Sequence, residues 1–236
     1  MERPKYNGRA HIICAMSPPP TRGFADRSII LVLAAALAAG LGLYFAQRLF
    51  APSSSPAATS QATLSAVRLI APPRALVAWQ LVASDGSALT PASLRGHWTV
   101  VFLGFTHCPD VCPTTLAELA KAQKSWSTIA QAVRPRLLFA SVDPERDTPR
   151  KVGDYAHFFH ADTLAASGTP KQVEQFAHSL GLVYMKVPLE NGDYTMDHSA
   201  TLIVLDPQGR QAGLIRPPLD WKAIAADLRT LSGAGQ

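Results

Sequence analysis

Cysteine is scarce, with three in 236 residues. That is too few for a disulfide-stapled scaffold, so any thiol chemistry in this chain is local. Charged residues make up only 17% against 47% hydrophobic, a balance that excludes disorder as the main state. The 15 glycines and 19 prolines follow no collagen-like period, and no segment repeats. A basic surface is also missing, although the formal net charge is +5. Residues 1–50 hold six Lys/Arg against two Asp/Glu, whereas the rest of the chain holds sixteen against fifteen. The excess therefore belongs to the N-terminus, and no nucleic-acid partner is expected.

Only one hydrophobic run is long. Ile29–Ala46 is eighteen residues without a charge, which at 1.5 Å per residue is about 27 Å of helix, close to the hydrocarbon thickness of a bilayer. The apolar region of a secretory signal is shorter, about 7–15 residues, and ends at a small-residue cleavage site. Here Gln47 and Arg48 come directly after the run, so an uncleaved anchor is expected over 29–47. Five of the first 27 residues are Lys/Arg, and only Arg48 stands between the run and Arg68. The positive-inside rule then keeps 1–28 in the cytoplasm and exports the chain beyond the anchor to the periplasmic side of a bacterial inner membrane. Residues 48–71, rich in Ala, Ser, Pro and Thr, suit a flexible linker, and 72–236 form the domain. Met16 offers an alternative start that would remove Cys14; Cys14 otherwise lies on the reducing side of the membrane.

The domain alternates strand and helix patterns. Ala75–Val82 reads as a strand, with Asp85-Gly86 turning the chain into Ser87–Leu89. Thr99–Phe105 and Leu137–Val142 are short apolar runs, as expected of strands buried on both faces. Pro113 to about Ala132 has helical spacing. Thr148-Pro149 and Thr169-Pro170 each set a capping hydroxyl before a proline at the first helical position, and Gly181 stops the second of these helices. Thr201–Leu205, a turn at Asp206–Gly209 and Gln211–Ile215 make a hairpin, and Asp220 caps a last helix. The result is an α/β domain with a mixed sheet, because the hairpin must be antiparallel.

Chemistry concentrates in GFTHCPDVCPTTL, residues 104–116, where a buried strand gives way to a helix. Cys108 stands at the carboxyl end of the strand and Cys112 where the helix cap falls. A helix N-terminus stabilises a thiolate and lowers its pKa. Two cysteines four apart around such a turn close a disulfide or chelate a soft metal. In an open α/β sheet the loops at the carboxyl ends of the strands meet in one crevice, and His198, just before a predicted strand, is the candidate third ligand. Period-two alternation points His107 away from Cys108, toward packing or hydrogen bonding. His157 and His160, three apart on a helix, are far from any strand end. Two thiolates and an imidazole favour Cu(I), and with an open fourth position suit Zn²⁺; Cu(II) calls for an added oxygen donor, for which Asp110 and Asp197 are nearest.

These residues carry a family resemblance. GFTHCPDVCPTTL (104–116), SVDPERDTP (141–149) and DHSATLIVLDPQG (197–209) resemble the Sco (SenC) family of copper-binding assembly proteins, and the order anchor, linker, α/β domain agrees with it. The resemblance implies a thioredoxin-like fold whose usual C-x2-C has gained one residue. It implies copper, as Cu(I) and/or Cu(II), on Cys108, Cys112 and His198, and a role in building the binuclear copper-A centre of cytochrome c oxidase. Asp143 and the Glu145-Arg146-Asp147 run also match, as a structural or partner-facing loop, with a charged run expected to be a solvated face. Ala161–Gly168 matches less well and is expected to affect only surface detail.

Two functions share this dithiol. As a metallochaperone the chain holds copper on all three residues and passes it to the copper-A subunit. As a thiol–disulfide reductase it uses Cys108 and Cys112 as a redox pair on the acceptor's cysteines. Either needs a thioredoxin-like reductant in an oxidising compartment, and the first also needs a periplasmic copper donor.

Overall fold

A computed structural model describes residues 25–50 and 64–234. Cys14 and Met16, most of the expected cytoplasmic segment, and residues 51–63 of the expected linker lie outside the described residues. The chain divides into two units, Met1–Thr59 and Ser60–Gln236.

In the first unit, helix α1 (Ala25–Phe50) contains Ile29–Ala46, whose mean hydropathy is 2.4 and none of which is buried. By length and composition this helix is able to cross a membrane.

In the second unit an eight-stranded mixed sheet runs β1 (Arg68–Arg74), β10 (Gln211–Ile215), β9 (Leu202–Leu205), β4 (Thr99–Gly104), β5 (Arg136–Ser141), β6 (Leu164–Ser167), β2 (Leu81–Ala83), β3 (Ala88–Leu89). Strands β4, β5 and β6 are parallel; the other pairings are antiparallel. All six residues of β4 are buried, as the unbroken TVVFLG run requires of a strand covered on both faces. The crossovers through α2 (Val111–Trp126) and α3 (Pro149–Phe159) share one hand, which puts both helices on the same face. Helix α5 (Trp221–Leu231) packs against α2, where the Trp126 indole N–H donates to Ala225 O at 3.2 Å. Helix α4 (Pro170–Leu180) lies against β2, and its Phe176 meets Trp79 edge-on at 4.6 Å.

The caps behave as read from the sequence. Thr148 and Thr169 accept from the backbone N–H groups of Lys151 and Gln172, Asp220 from those of Lys222 and Ala223. Gly181 closes α4 at φ 69°, a left-handed conformation that glycine adopts without strain.

Elsewhere the structure departs from expectation. The domain begins before residue 72: β1 starts at Arg68, and the buried Asp227 carboxylate accepts from the backbone N–H groups of Ser65, Ala66 and Val67. RLIAPPR lacks alternation and carries two prolines, so it reads as linker although it forms an edge strand. The expected strand Ala75–Val82 contracts to Leu81–Ala83. Helix α2 stops at Trp126, where the hydroxyls of Ser125 and Ser127 donate to carbonyls three residues back and compete with the helix ladder. Within Ala161–Gly168 lies β6, a sheet strand rather than surface detail; Leu-Ala-Ala-Ser has too little β-branching to announce itself. Finally, β7 (Tyr184–Pro188) and β8 (Tyr194–His198) form a separate two-stranded sheet. Asn191-Gly192 in its turn, with Gly192 at φ 83°, is the hairpin signal that reveals it in the sequence.

Candidate metal centre

Strand β4 ends at Gly104 with its backbone pressed against the site. A Cβ there would lie 2.6 Å from Phe139 Cε2 and 3.0 Å from Cys112 Sγ, so this position requires glycine for close approach and not for its dihedral freedom. The chain then turns through residues 105–110 into α2, whose N-cap is Asp110. Cys112 is therefore inside the first helical turn, two residues past the N-cap, and not at the cap itself as expected. Its backbone N–H points back at Cys108 Sγ, 3.3 Å away, so the helix terminus serves Cys108, which is partly exposed.

Cys112 itself is fully buried, and both thiols are free. Burial pushes the Cys112 thiol far up from 9.0; a hydrogen bond with the Phe105 backbone works against this, and the neighbouring Cys108 adds to it. The expectation that the helix terminus lowers the pKa thus fails for Cys112, because desolvation outweighs the dipole. A soft cation bound there would displace the Cys112 proton to solvent, whereas without one the thiol form is favoured.

His198 ends β8, so it sits on a strand and not in the loop that the sequence suggested. Its Nε2 is 3.6 Å from Cys112 Sγ and its Nδ1 is 3.2 Å from Ser199 O. The carbonyl assigns the proton to Nδ1 and leaves the Nε2 lone pair facing the sulfur. Phe102 and Phe105 approach the ring edge-on, with centroids at 6.2 and 6.1 Å. Burial, opposed by the Ser199 carbonyl and Asp197, lowers the imidazole pKa below 6.5, which keeps the coordinating neutral form at pH 7. A soft ion with bonds of about 2.3 Å to sulfur and about 2.0 Å to nitrogen separates those donors by about 3.5–3.8 Å, and the observed 3.6 Å fits. Among the described residues no three His, Cys, Asp or Glu side chains are already gathered as a cage. The arrangement is a facing Cys112–His198 pair with Cys108 at the adjoining turn.

The remaining candidates lie elsewhere. The ring of His107 is directed at Thr106 Oγ1 (3.3 Å) and Asp147 Oδ1 (3.7 Å), the hydrogen-bonding role expected of it. His157 Nε2 meets Thr163 O, and His160 Nδ1 accepts from Asp162 N–H, so the two do not act as a metal pair. Asp110 accepts from Thr114 Oγ1 within α2, and Asp197 is solvent-exposed opposite Met185. Asp143 and Asp147 are not a solvated face: they are 2% and 1% exposed. Their spacing around Pro144-Glu145-Arg146 hides this, since nothing local says that two carboxylates so close together are buried.

The SCO1/SenC family model matches residues 70–233. The mitochondrial SCO1 homolog 1 of Arabidopsis thaliana is 39% identical over 131 residues, 55% of this chain and 39% of that protein. The human mitochondrial SCO2 homolog is 36% identical over 132 residues, 56% of this chain and 50% of that protein. The chain thus spans half or less of these relatives' lengths. The copper-bound structure of Bradyrhizobium japonicum ScoI has a TM-score of 0.61 at 37% identity, covering 66% of this chain and 98% of that one. The apo Sco1 of Thermus thermophilus has a TM-score of 0.64 at 34% identity, covering 72% and 99%. The fold is accordingly thioredoxin-like, a mixed central sheet flanked by helices.

Proposed function

The chain belongs to the SCO1/SenC family, and on that premise we propose that it is a copper metallochaperone. Copper is held by Cys108, Cys112 and His198 and delivered to the binuclear copper-A centre of cytochrome c oxidase during assembly. The observation that carries this reading is the Nε2 lone pair of His198 facing Cys112 Sγ at 3.6 Å. A static structural disulfide has no use for an imidazole turned onto the buried sulfur. Two soft sulfurs and one nitrogen leave room for an incoming thiolate, so the ion leaves by ligand exchange. The ScoI of B. japonicum, which holds copper on the same fold, supports the cargo.

The anchor over 29–47 keeps the domain at the membrane, with residues 1–28 cytoplasmic, a linker after the anchor, and the domain on the periplasmic side. There it receives copper from a periplasmic donor. A thioredoxin-like reductant keeps the pair as thiols, since the disulfide has no thiolate left for copper. Copper stoichiometry and ligand spectroscopy on the reduced, anaerobic protein test the reading. One copper per chain with sulfur and imidazole donors is expected, and no retention refutes it.

A second reading is favoured by the contact of the Cys112 N–H with Cys108 Sγ. The partly exposed Cys108 thiolate attacks one sulfur of the acceptor's disulfide, releasing the other as a thiol. Cys112 then attacks Cys108, so the chain ends as a disulfide and the acceptor gains two electrons and two protons. The two readings separate at His198, which exchange does not need.

A further inference from the structure

The third ligand stands on the less firmly attached part of the domain. Strands β7 and β8 pair only with each other, so no hydrogen-bond ladder ties His198 to the sheet that carries the cysteines. The geometry points to residues 143–148, between β5 and α3, as a two-armed bracket that sets the cysteine turn against His198. Asp147 is the positioning residue of one arm, and Asp143, Arg146 and Tyr194 those of the other. The inference rests on the copper-binding reading above.

The first arm holds the cysteine turn. Asp147 Oδ2 accepts from the Thr106 backbone N–H at 2.8 Å and from Ser141 Oγ at 2.6 Å, and Oδ1 accepts from Thr106 Oγ1 at 2.5 Å. Thr106 stands two residues before Cys108, so both of its polar groups are fixed by one fully buried carboxylate. Lys151 Nζ, at 3.6 Å, adds the countercharge.

The second arm holds the hairpin. Asp143 Oδ1 accepts from the Tyr194 hydroxyl at 2.9 Å, and Oδ2 from Arg146 Nε at 2.6 Å. Arg146 Nη1 donates to Tyr194 O at 3.0 Å, and its guanidinium carbon lies 3.7 Å from the centre of the Tyr194 ring. Lys186 Nζ also lies 3.8 Å from that ring centre and pairs with Glu145 at 2.6 Å. Tyr194, Met196 and His198 occupy alternate positions of β8 and share its inner face; Met196 is buried in the core. Gripping Tyr194 therefore fixes the twist of the strand that presents His198.

The arms meet through one hydroxyl: the Asp143 backbone N–H donates to Ser141 Oγ, which donates to Asp147. Lys151 Nζ is a second link, donating to Arg146 O at 3.0 Å while it pairs with Asp147; Thr106 and Tyr194 each belong to one arm alone, so the arms are separable by substitution. Loss of the hairpin arm should affect the imidazole and leave the dithiol alone. Loss of the cysteine arm should affect both.

The test uses the full-length chain in detergent, reduced and anaerobic, with three readouts: Cu(I) affinity by competition with a chromophoric chelator, the metal charge-transfer spectrum, and the Cys108/Cys112 potential in a dithiothreitol buffer. Tyr194→Phe removes only the hydroxyl and should weaken Cu(I) several-fold, less than the roughly tenfold lost with a direct hydrogen-bond partner of a metal ligand, since Tyr194 acts on His198 only through the strand. Tyr194→Ala should weaken it further and alter the charge-transfer spectrum, and neither should move the dithiol potential. Asp147→Asn should weaken copper and also change the dithiol equilibrium constant about tenfold, about 30 mV for this two-electron couple. Should Tyr194→Ala fail to fold, Tyr194→Phe decides alone. Wild-type Cu(I) affinity in the Tyr194 variants overturns the bracket, as does a dithiol shift in them as large as that of Asp147→Asn. A wild-type chain that binds no copper overturns the function itself, and is seen before any variant is compared.

Discussion

The two halves of the site are built differently. The cysteine half grows out of β4, six buried residues all registered against β5 on one side and the first three of them against β9 on the other, and continues into α2, which packs on α5. The histidine half is a hairpin whose only ladder is its own, held by side chains and by Met196 in the core. A site made this way is stiff where sulfur is presented and adjustable where nitrogen is. Under the proposed chaperone role, a nitrogen ligand held by side-chain contacts alone would be the one to move without disturbing the dithiol.

Cys108→Ser or Cys112→Ser should have the largest effect, abolishing both copper retention and thiol exchange, since a hydroxyl is hard and does not ionise. Metal analysis and exchange with a disulfide substrate check this. A Cys112→Ser protein that loses only one of the two activities would show that the stiff half does not act as a unit.

His198→Ala removes the proposed nitrogen ligand and leaves both sulfurs. Copper affinity should fall at least tenfold by chelator competition, while disulfide formation between Cys108 and Cys112 persists. In cells, excess copper should rescue oxidase assembly in this variant. Full assembly at limiting copper would favour the reductase reading.

Gly104→Ala probes the stiff half without replacing a proposed ligand. The new methyl meets Phe139 at 2.6 Å and Cys112 Sγ at 3.0 Å, and overpacking of this kind costs about 1–3 kcal/mol. Urea unfolding should show a lower midpoint with unchanged slope, and copper affinity should fall with it. Wild-type stability would mean that the strand end yields more readily than its registered partners suggest.

The smallest effect expected is on pH dependence in the metal-free protein. His198 has a folded pKa lowered below 6.5, so below that pH the unfolded chain binds the extra proton and stability falls as pH decreases. Cys112 has a folded pKa raised above 9.0, so above that pH the unfolded chain loses the proton and stability falls as pH increases. Denaturation midpoints should therefore decline at both ends. The acid-side decline should shrink in His198→Ala, and the alkaline one in Cys112→Ser.

Much of this was legible in sequence because the signals are local. TVVFLG declares a doubly covered strand, Thr-Pro pairs declare two helix starts, and the C-x3-C turn falls where strand meets helix. Local order also placed His198 near a strand end at the crevice. What the chain by itself does not state is which polar groups are buried. Asp143, Asp147 and Asp227 look like ordinary surface carboxylates, and each is buried because distant donors converge on it: Tyr194 on the first, Thr106 on the second, the backbone of Ser65–Val67 on the third. The same holds for Cys112, whose helix position predicts a lowered pKa until burial reverses the sign. Sequence determined the buried strands β4, β5 and β9, the helix starts at Thr148, Thr169 and Asp220, the dithiol and the anchor-like run, because propensity and periodicity act over a few residues. Tertiary structure alone decided the burial of those charges, the protonation of Cys112 and the facing of His198 onto its sulfur, because desolvation and long-range hydrogen bonds depend on what the fold brings together.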